Sequence, residues 1–206
     1  MTMHHVSLPP ADARSDEILL QARAAFVEKG FDGASMQDLA RAAGMSAGNF
    51  YRYFPSKSAL VEAMINRDID EVQQHFNAIV STRDPIGALR RTLMGRLEQD
   101  LCSDDRPLWA EIMAVAARKP EIAAILARME NQVADLITRV ISLACHLPAE
   151  AAAQRYGAHA RLIILLVRGA SLESAQNPQM QSDLKELIMR TIDKLIGDIV
   201  TENAGA

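Results

Sequence analysis

The chain has 206 residues, 49% hydrophobic and 4% aromatic, with a net charge of −4 at neutral pH. That balance excludes a general nucleic-acid coat. No apolar run approaches the ~20 residues of a membrane span, the longest being Leu162 to Val167, so no membrane partner is expected. Cys102 and Cys145 have no metal-site spacing and set no disulfide framework; they read as small buried hydrophobes, with a redox switch as the alternative.

Ala, Leu, Ile and Met dominate the apolar residues, so the fold class is expected to be all-α. Residues 1–13 are polar, carry Pro9 and Pro10, and lack the basic and apolar regions of a signal peptide. They read as a flexible arm, and the expected localisation is cytoplasmic. Ser15 precedes Asp16 and Glu17 as the cap of a first helix with Ile18, Leu19, Ala22, Ala25 and Phe26 at helical spacing, ended by Gly30. Ser35 opens a second helix with Asp38 placed for a capping box, Gly44 stops it, and Ser46 caps a third that runs to about Tyr53. Pro55 breaks the chain. A fourth helix spans roughly Lys57 to Val80, and Asp84-Pro85 opens a fifth to about Leu101. Cys102 to Arg106 is the clearest loop. A sixth helix carries Leu108, Trp109, Ile112, Met113 and Ala116, and Lys119-Pro120 leads into a seventh, from Glu121 to Cys145. The eighth runs from Leu147-Pro148 to about Ala175 and is broken by Asn177-Pro178; the ninth covers Ser182 to Val200 with a broad apolar stripe. About nine helices result, with no strand-like alternation and no internal repeat.

The segment from Ser35 to Leu60 carries the chemistry. Two short helices meet at Gly44-Met45-Ser46, the layout of a helix-turn-helix whose second helix enters the major groove. Turned at about 100° per residue, the third helix points Phe50 and Phe54 to one side and Gly48, Asn49, Tyr51 and Arg52 to the other, with Ala47 near its start. Small residues at Ala47 and Gly48 permit close approach. Arg52 suits guanine and Asn49 adenine, and Ser35, Ser46, Tyr51, Tyr53 and Lys57 suit phosphate. Gln37, in the first turn of the second helix, completes the candidate DNA-binding set. Residues 1–60 are neutral, so the whole negative charge lies beyond them and any DNA footprint is local.

This run resembles the signature of the TetR (tetracycline-repressor-like) family: Ser35, Leu39-Ala40, Ala43-Gly44-Met45-Ser46, Gly48, Phe50-Tyr51, Tyr53-Phe54, Lys57 and Leu60, preceded by Phe26 and Gly30-Phe31. Tyr53 stands where many members carry His. The resemblance covers about a quarter of the chain; the rest agrees in length and helix pattern alone. It implies a three-helix helix-turn-helix domain over 14–58, with the helix from Lys57 as the link, and a ligand-binding and dimerisation domain over 59–206. It further implies a cytoplasmic homodimer that represses transcription from a palindromic double-stranded DNA operator and is released by a small-molecule effector. No cofactor, metal or catalytic residue is implied.

In the second domain the family's dimer seam falls on helices eight and nine. Ile164, Arg168, Leu184, Leu187, Ile188, Thr191, Ile192 and Leu195 are the candidates, with internal core as the other reading of the ninth helix. Met64, Leu97, Trp109, Met113, Met129, Val133 and Ile163, together with Leu93 and Leu126, are candidate lining for a largely apolar or aromatic effector, or else plain core. Arg161 and Arg168 share a helix face and would hold an anionic group or edge the dimer. His146 and His159 are structural or are polar handles for a ligand. A competing function is an effector-independent DNA-binding protein that acts through a protein partner; an enclosed cavity discriminates against it. The chain has no phosphate loop, nucleophile elbow or zinc-protease helix, so an enzyme is not expected.

Overall fold

A computed structural model of the chain describes residues 11–102, 106–172 and 177–204. The described residues form nine helices and no strand: α1 (Ala11–Gly33), α2 (Met36–Ala42), α3 (Ala47–Tyr53), α4 (Lys57–Val80), α5 (Pro85–Cys102), α6 (Arg106–Ala116), α7 (Pro120–Ala144), α8 (Ala149–Leu172) and α9 (Pro178–Ala204). The all-α expectation holds, and the helix starts are where the sequence differs from the fold. Helix α1 begins at Ala11, ahead of the Ser15 cap; Ala11, Ala13 and Arg14 are good helix formers, and Asp12 suits a first turn. Most of the expected arm, residues 1–10, lies outside the described residues, as do the centre of the polar loop (103–105) and the segment 173–176. Helix α9 begins at Pro178 instead of Ser182. Asn177 accepts the Gln179 amide at 2.9 Å, and proline at the first helical position loses no hydrogen bond, so this pair starts a helix as well as ending one.

Gly30 breaks α1 as expected, at φ 71° and ψ 165°, a region essentially closed to other residues. The turn that follows is held from α6, where Glu111 Oε1 accepts the Phe31 amide at 3.0 Å. Asp84 caps α5 by accepting the Gly87 amide at 2.8 Å. Helix α8 packs against the second half of α7, and the chain turns between them through His146 at φ 54°.

The apolar residues gather into two cores. The first joins Phe26, Phe31, Leu39, Phe50 and Leu60 to Leu108, Ile112 and Val115 of α6 and to Ile122, Ile125 and Leu126 of α7. The second joins the end of α4 (Phe76, Ile79) to Leu89 and Leu97 of α5, Ile137, Val140 and Ile141 of α7, Tyr156 and Ile163 of α8, and Ile192, Ile196 and Ile199 of α9. The helix-turn-helix therefore shares its core with α6 and the first half of α7. No single helix among the described residues is long and apolar enough to cross a membrane.

Candidate nucleic-acid interface and cavity

The helix-turn-helix is built by caps. Ser35 accepts the Asp38 amide at 3.1 Å while Asp38 Oδ2 accepts the Ser35 amide at 3.0 Å, so each satisfies an open end of α2. Asp38 also accepts from Lys29 at 2.8 Å and from Arg41 at 3.4 Å. The Lys29 bond, followed by those from Ser35, holds its carboxyl well below the usual aspartate value. Gly44, at φ +65°, makes the turn, with the Met45 amide donating to Ala40 O at 2.9 Å. Ser46 then caps α3 by accepting the Asn49 amide at 3.3 Å.

Helix α3 buries Phe50 and Phe54, their ring centroids 5.6 Å apart, against the first core. The opposite side is open: Gly48, Asn49, Tyr51, Arg52 and Tyr53 are exposed, as are Ser35, Gln37 and Ser46, while Ala47 is half-buried. Nothing lies within 4 Å of where a side chain at Gly48 would begin. Lys57 sits apart from this group. Its ammonium donates to Phe31 O at 2.6 Å and Asp32 O at 3.2 Å and lies 5.0 Å from the Phe31 ring centre, so it holds the turn after α1. A phosphate contact from Lys57 would share that ammonium with two carbonyls. Arg41, largely exposed on α2, was not among the candidate residues although it lies on the same motif.

Between the two cores lies a cavity of about 1060 Å³. Of the candidate lining residues, Leu93, Trp109, Met113, Met129, Val133 and Ile163 border it. Met64, Leu97 and Leu126 do not: Met64 and Leu126 are packed in the first core and Leu97 in the second. Position along the helix explains Met64, which shares a face of α4 with Asp68 and Val72 but lies one to two turns nearer the helix-turn-helix, where that face meets the first core; the cavity begins at Arg67 and Asp68. The sequence reading missed the polar rim, which α1 supplies in part. Arg23 of α1 pairs with Asp68 of α4 at 2.6 Å, and Arg67 of α4 pairs with Asp16 of α1 at 3.1 Å; all four residues border the cavity. Burial pushes the Asp68 carboxyl up, against the opposing pull of Arg23 and Arg96. No periodicity within α1 signals that its N-terminal half faces a cavity.

The dimer candidates divide. Ile188 and Ile192 turn into the second core, Ile192 fully buried, because α9 aims Ile188, Ile192, Ile196 and Ile199 inward. Ile164 and Arg168 border the cavity, and Arg168 pairs with Glu130 of α7, which also accepts from Arg161; both arginines thus tie α8 to α7. Leu184, Thr191 and Leu195 are half-buried, and Leu187 is exposed beside Met180. On α8, Leu162, Leu165 and Leu172 are exposed at helical spacing and lie outside the candidate seam residues. His146 is exposed and His159 half-buried, and neither borders the cavity. Cys145 is half-buried and burial raises its thiol pKa, the setting of an inert thiol; the Cys102 side chain lies outside the described residues.

Residues 18–64 match the family described as bacterial regulatory proteins, tetR family. The chain is 28% identical over 122 residues to the HTH-type transcriptional regulator UidR of Escherichia coli K12, a match that spans 59% of this chain and 61% of UidR. Its fold is similar to that of Salmonella enterica GusR, with a TM-score of 0.66 and 25% identity over 90% of this chain and 98% of GusR. A TetR transcription regulator of Haloarcula marismortui shares the fold with a TM-score of 0.70 at 17% identity, over 91% of this chain and 98% of that one.

Proposed function

We propose that this chain, a member of the tetR family of bacterial regulatory proteins, acts as a homodimeric repressor that grips a palindromic operator and is released when a small molecule fills the cavity between its two cores. The observation that carries the reading is the exposed face of α3, which sets Asn49, Tyr51 and Arg52 outward while Phe50 and Phe54 fix the helix from behind. Arg52 is the guanine reader and Asn49 the adenine reader; Ser35, Gln37, Ser46, Tyr51 and Tyr53 hold phosphates at the rim. Two-fold pairing spaces the two α3 helices about 34–36 Å apart, one turn of the duplex. The outward stripes of α8 (Leu162, Leu165, Leu172) and α9 (Met180, Leu187) supply an apolar face for that pairing. The cavity of about 1060 Å³ is half open to solvent and not enclosed; its apolar lining by Trp109, Met113 and Ile163 supports a ligand-responsive regulator.

The test is a mobility shift on the intergenic DNA upstream of the chain's own gene, with random duplex as competitor at fixed salt. Specific retention is expected, and loss of it with Arg52→Ala. Retention of random DNA to the same degree, together with failure to enrich any sequence from a random pool, would end the reading. Leu187→Asp is expected to give a folded monomer by light scattering. A charge at Ile192, by contrast, would unfold the second core and say nothing about the seam.

A further inference from the structure

The apolar walls of the cavity divide between the two cores. Trp109 and Met113 of α6 and Met129 of α7 pack against the first core, whereas Val133 of α7 and Ile163 and Val167 of α8 belong to the second. Trp109 and Met113 stand one helical turn apart and share a face of α6, as Met129 and Val133 do on α7. An indole and two thioethers in one cavity favour a flat ring, since aromatic and sulfur–aromatic contacts add to the gain from buried area.

Two ion pairs on the α1–α4 side are closed on themselves, Arg23 with Asp68 at 2.6 Å and Arg67 with Asp16 at 3.1 Å. Across from them, Arg168 is the one polar residue that α7 and α8 contribute to the described lining. Its Nη1 donates to Oε1 of Glu130. Oε2 of the same carboxylate accepts from Arg161 at 3.4 Å, and Arg161 also donates to Asn131. Glu130, Asn131 and Arg161 do not border the cavity, so they hold Arg168 from behind its wall. A guanidinium presents several N–H donors in a planar fork, and Glu130 is the one partner of Arg168 among the described residues. The donors on Nε and Nη2 therefore remain for a ligand. Glu130 balances the Arg168 charge, and solvent screens the half-exposed Arg161. The wall thus offers hydrogen-bond donors without a net charge. A neutral carbonyl meets them at a far lower desolvation cost than an ion, and its bond to a charged donor is stronger than one to a neutral donor.

Building on the cavity as effector site, we propose that its ligand is a neutral, ring-bearing molecule whose carbonyl-type acceptor is held by Arg168. The ring lies against Trp109 and Met113, the acceptor takes the unspent N–H groups of the guanidinium, and Glu130 positions that guanidinium and cancels its charge. Such a ligand touches α6, which packs in the first core, and α8, which packs in the second. It therefore favours one placement of the DNA-reading core over another by differential contact.

Trp109 is the chain's single tryptophan and borders the cavity, so its fluorescence reports occupancy. The experiment titrates the full chain with para-ethylacetophenone, para-ethylcumene, para-ethylbenzoate and para-ethylbenzamidine. These probes share one shape and differ in the head, which is a carbonyl, a hydrocarbon, an anion or a cation. The ketone is expected to give a saturable change and to bind roughly tenfold tighter than either ion. Arg168→Met weakens the ketone by about tenfold and leaves para-ethylcumene within about twofold. Glu130→Gln moves the preference from the ketone to the benzoate, a change that lost packing alone does not produce. Should Arg168→Met fail to give a cooperative melt, Glu130→Gln carries the test. A preference for either ion in the unaltered chain, or no saturable response to the ketone, would overturn the proposal. So would an Arg168→Met variant that treats ketone and cumene alike, or a Glu130→Gln variant that keeps the ketone preference. Mobility shifts on the same samples separate the two readings. Specific DNA retention with ketone binding indifferent to Arg168 sinks the ligand class alone. An Arg168-dependent ketone preference in a chain that enriches no DNA sequence sinks the repressor alone.

Discussion

The DNA-reading end and the cavity end of this molecule are made of the same helical material and packed to opposite purposes. At the reading end each helix start is closed by a neighbouring side chain: Ser35 for α2, Ser46 for α3 and Ser56 for α4. The interior there is filled by aromatic pairs, Phe26 with Phe31 and Phe50 with Phe54, each at 5.6 Å. Around the cavity the helices leave about 1060 Å³ unfilled, bordered by flexible Met113 and Met129 and by ion pairs between α1 and α4. A reader of base edges must hold its side chains in one geometry, and dense packing enforces that. Under the proposed function the cavity end must have two arrangements of similar energy, and an unfilled space bordered by ion pairs leaves room for them.

The contrast is sharpest in truncations. Phe50→Ala is expected to cost about 3–5 kcal/mol, because it empties a fully packed site. Met113→Ala, beside space that is already empty, should cost only about 1 kcal/mol. Urea unfolding of both variants measures the difference, and equal losses would erase it.

Gly30→Ala comes next, at about 1–3 kcal/mol, since its φ of 71° and ψ of 165° suit glycine alone and a Cβ there would stand 3.4 Å from Glu111 Oε1. Because Glu111 sits on the same helix as Trp109 and Met113, loss of DNA affinity beyond the loss of stability would mark this turn as a link between cavity and head.

Gly48→Ala should separate the two properties of the reading end. Alanine in α3 is expected to raise stability by up to about 1 kcal/mol, while its methyl group on the exposed face lowers specific DNA affinity. Unchanged affinity in a mobility shift would move the groove-facing side elsewhere.

The smallest effect is in pH, and its sign differs between the regions. Asp38 has a folded pKa below the usual 3.8, so its contribution is present above that value and is lost as pH falls through the lowered folded pKa. Asp68 has a folded pKa above 3.8. The folded chain therefore binds that proton first, and stability contributed by Asp68 increases as pH falls through its raised pKa toward 3.8. Carboxyl titration by NMR should place the two midpoints on opposite sides of 3.8. Two midpoints on the same side would contradict the burial assigned to Asp68.

Much of the reading end was legible because its determinants are local. The Ser35–Asp38 box, the stop at Gly44 and the Phe50–Phe54 spacing each act across four residues or fewer. Lys57 shows the limit of that reading. As a cation at a helix start it suited phosphate, yet its ammonium is engaged by carbonyls 26 and 25 residues earlier in the chain. The same limit applies to α9, where a regular stripe cannot by itself tell an internal core from a seam. Ile192 proved internal, and the outward side is marked by Leu187 and by Leu165 of α8.

The sequence alone thus determined the helical class, most of the breaks, the helix-turn-helix and the outward side of α3, since these follow from propensity, caps and a period of 3.6 residues. Tertiary structure decided three further things: that α6 and the first half of α7 complete the head's core, that α1 supplies one charged side of a cavity, and which leucines of α8 and α9 remain uncovered. Each depends on how far apart helices settle when their side chains interlock. That distance is set by contacts between residues tens of positions apart, and no local pattern carries it.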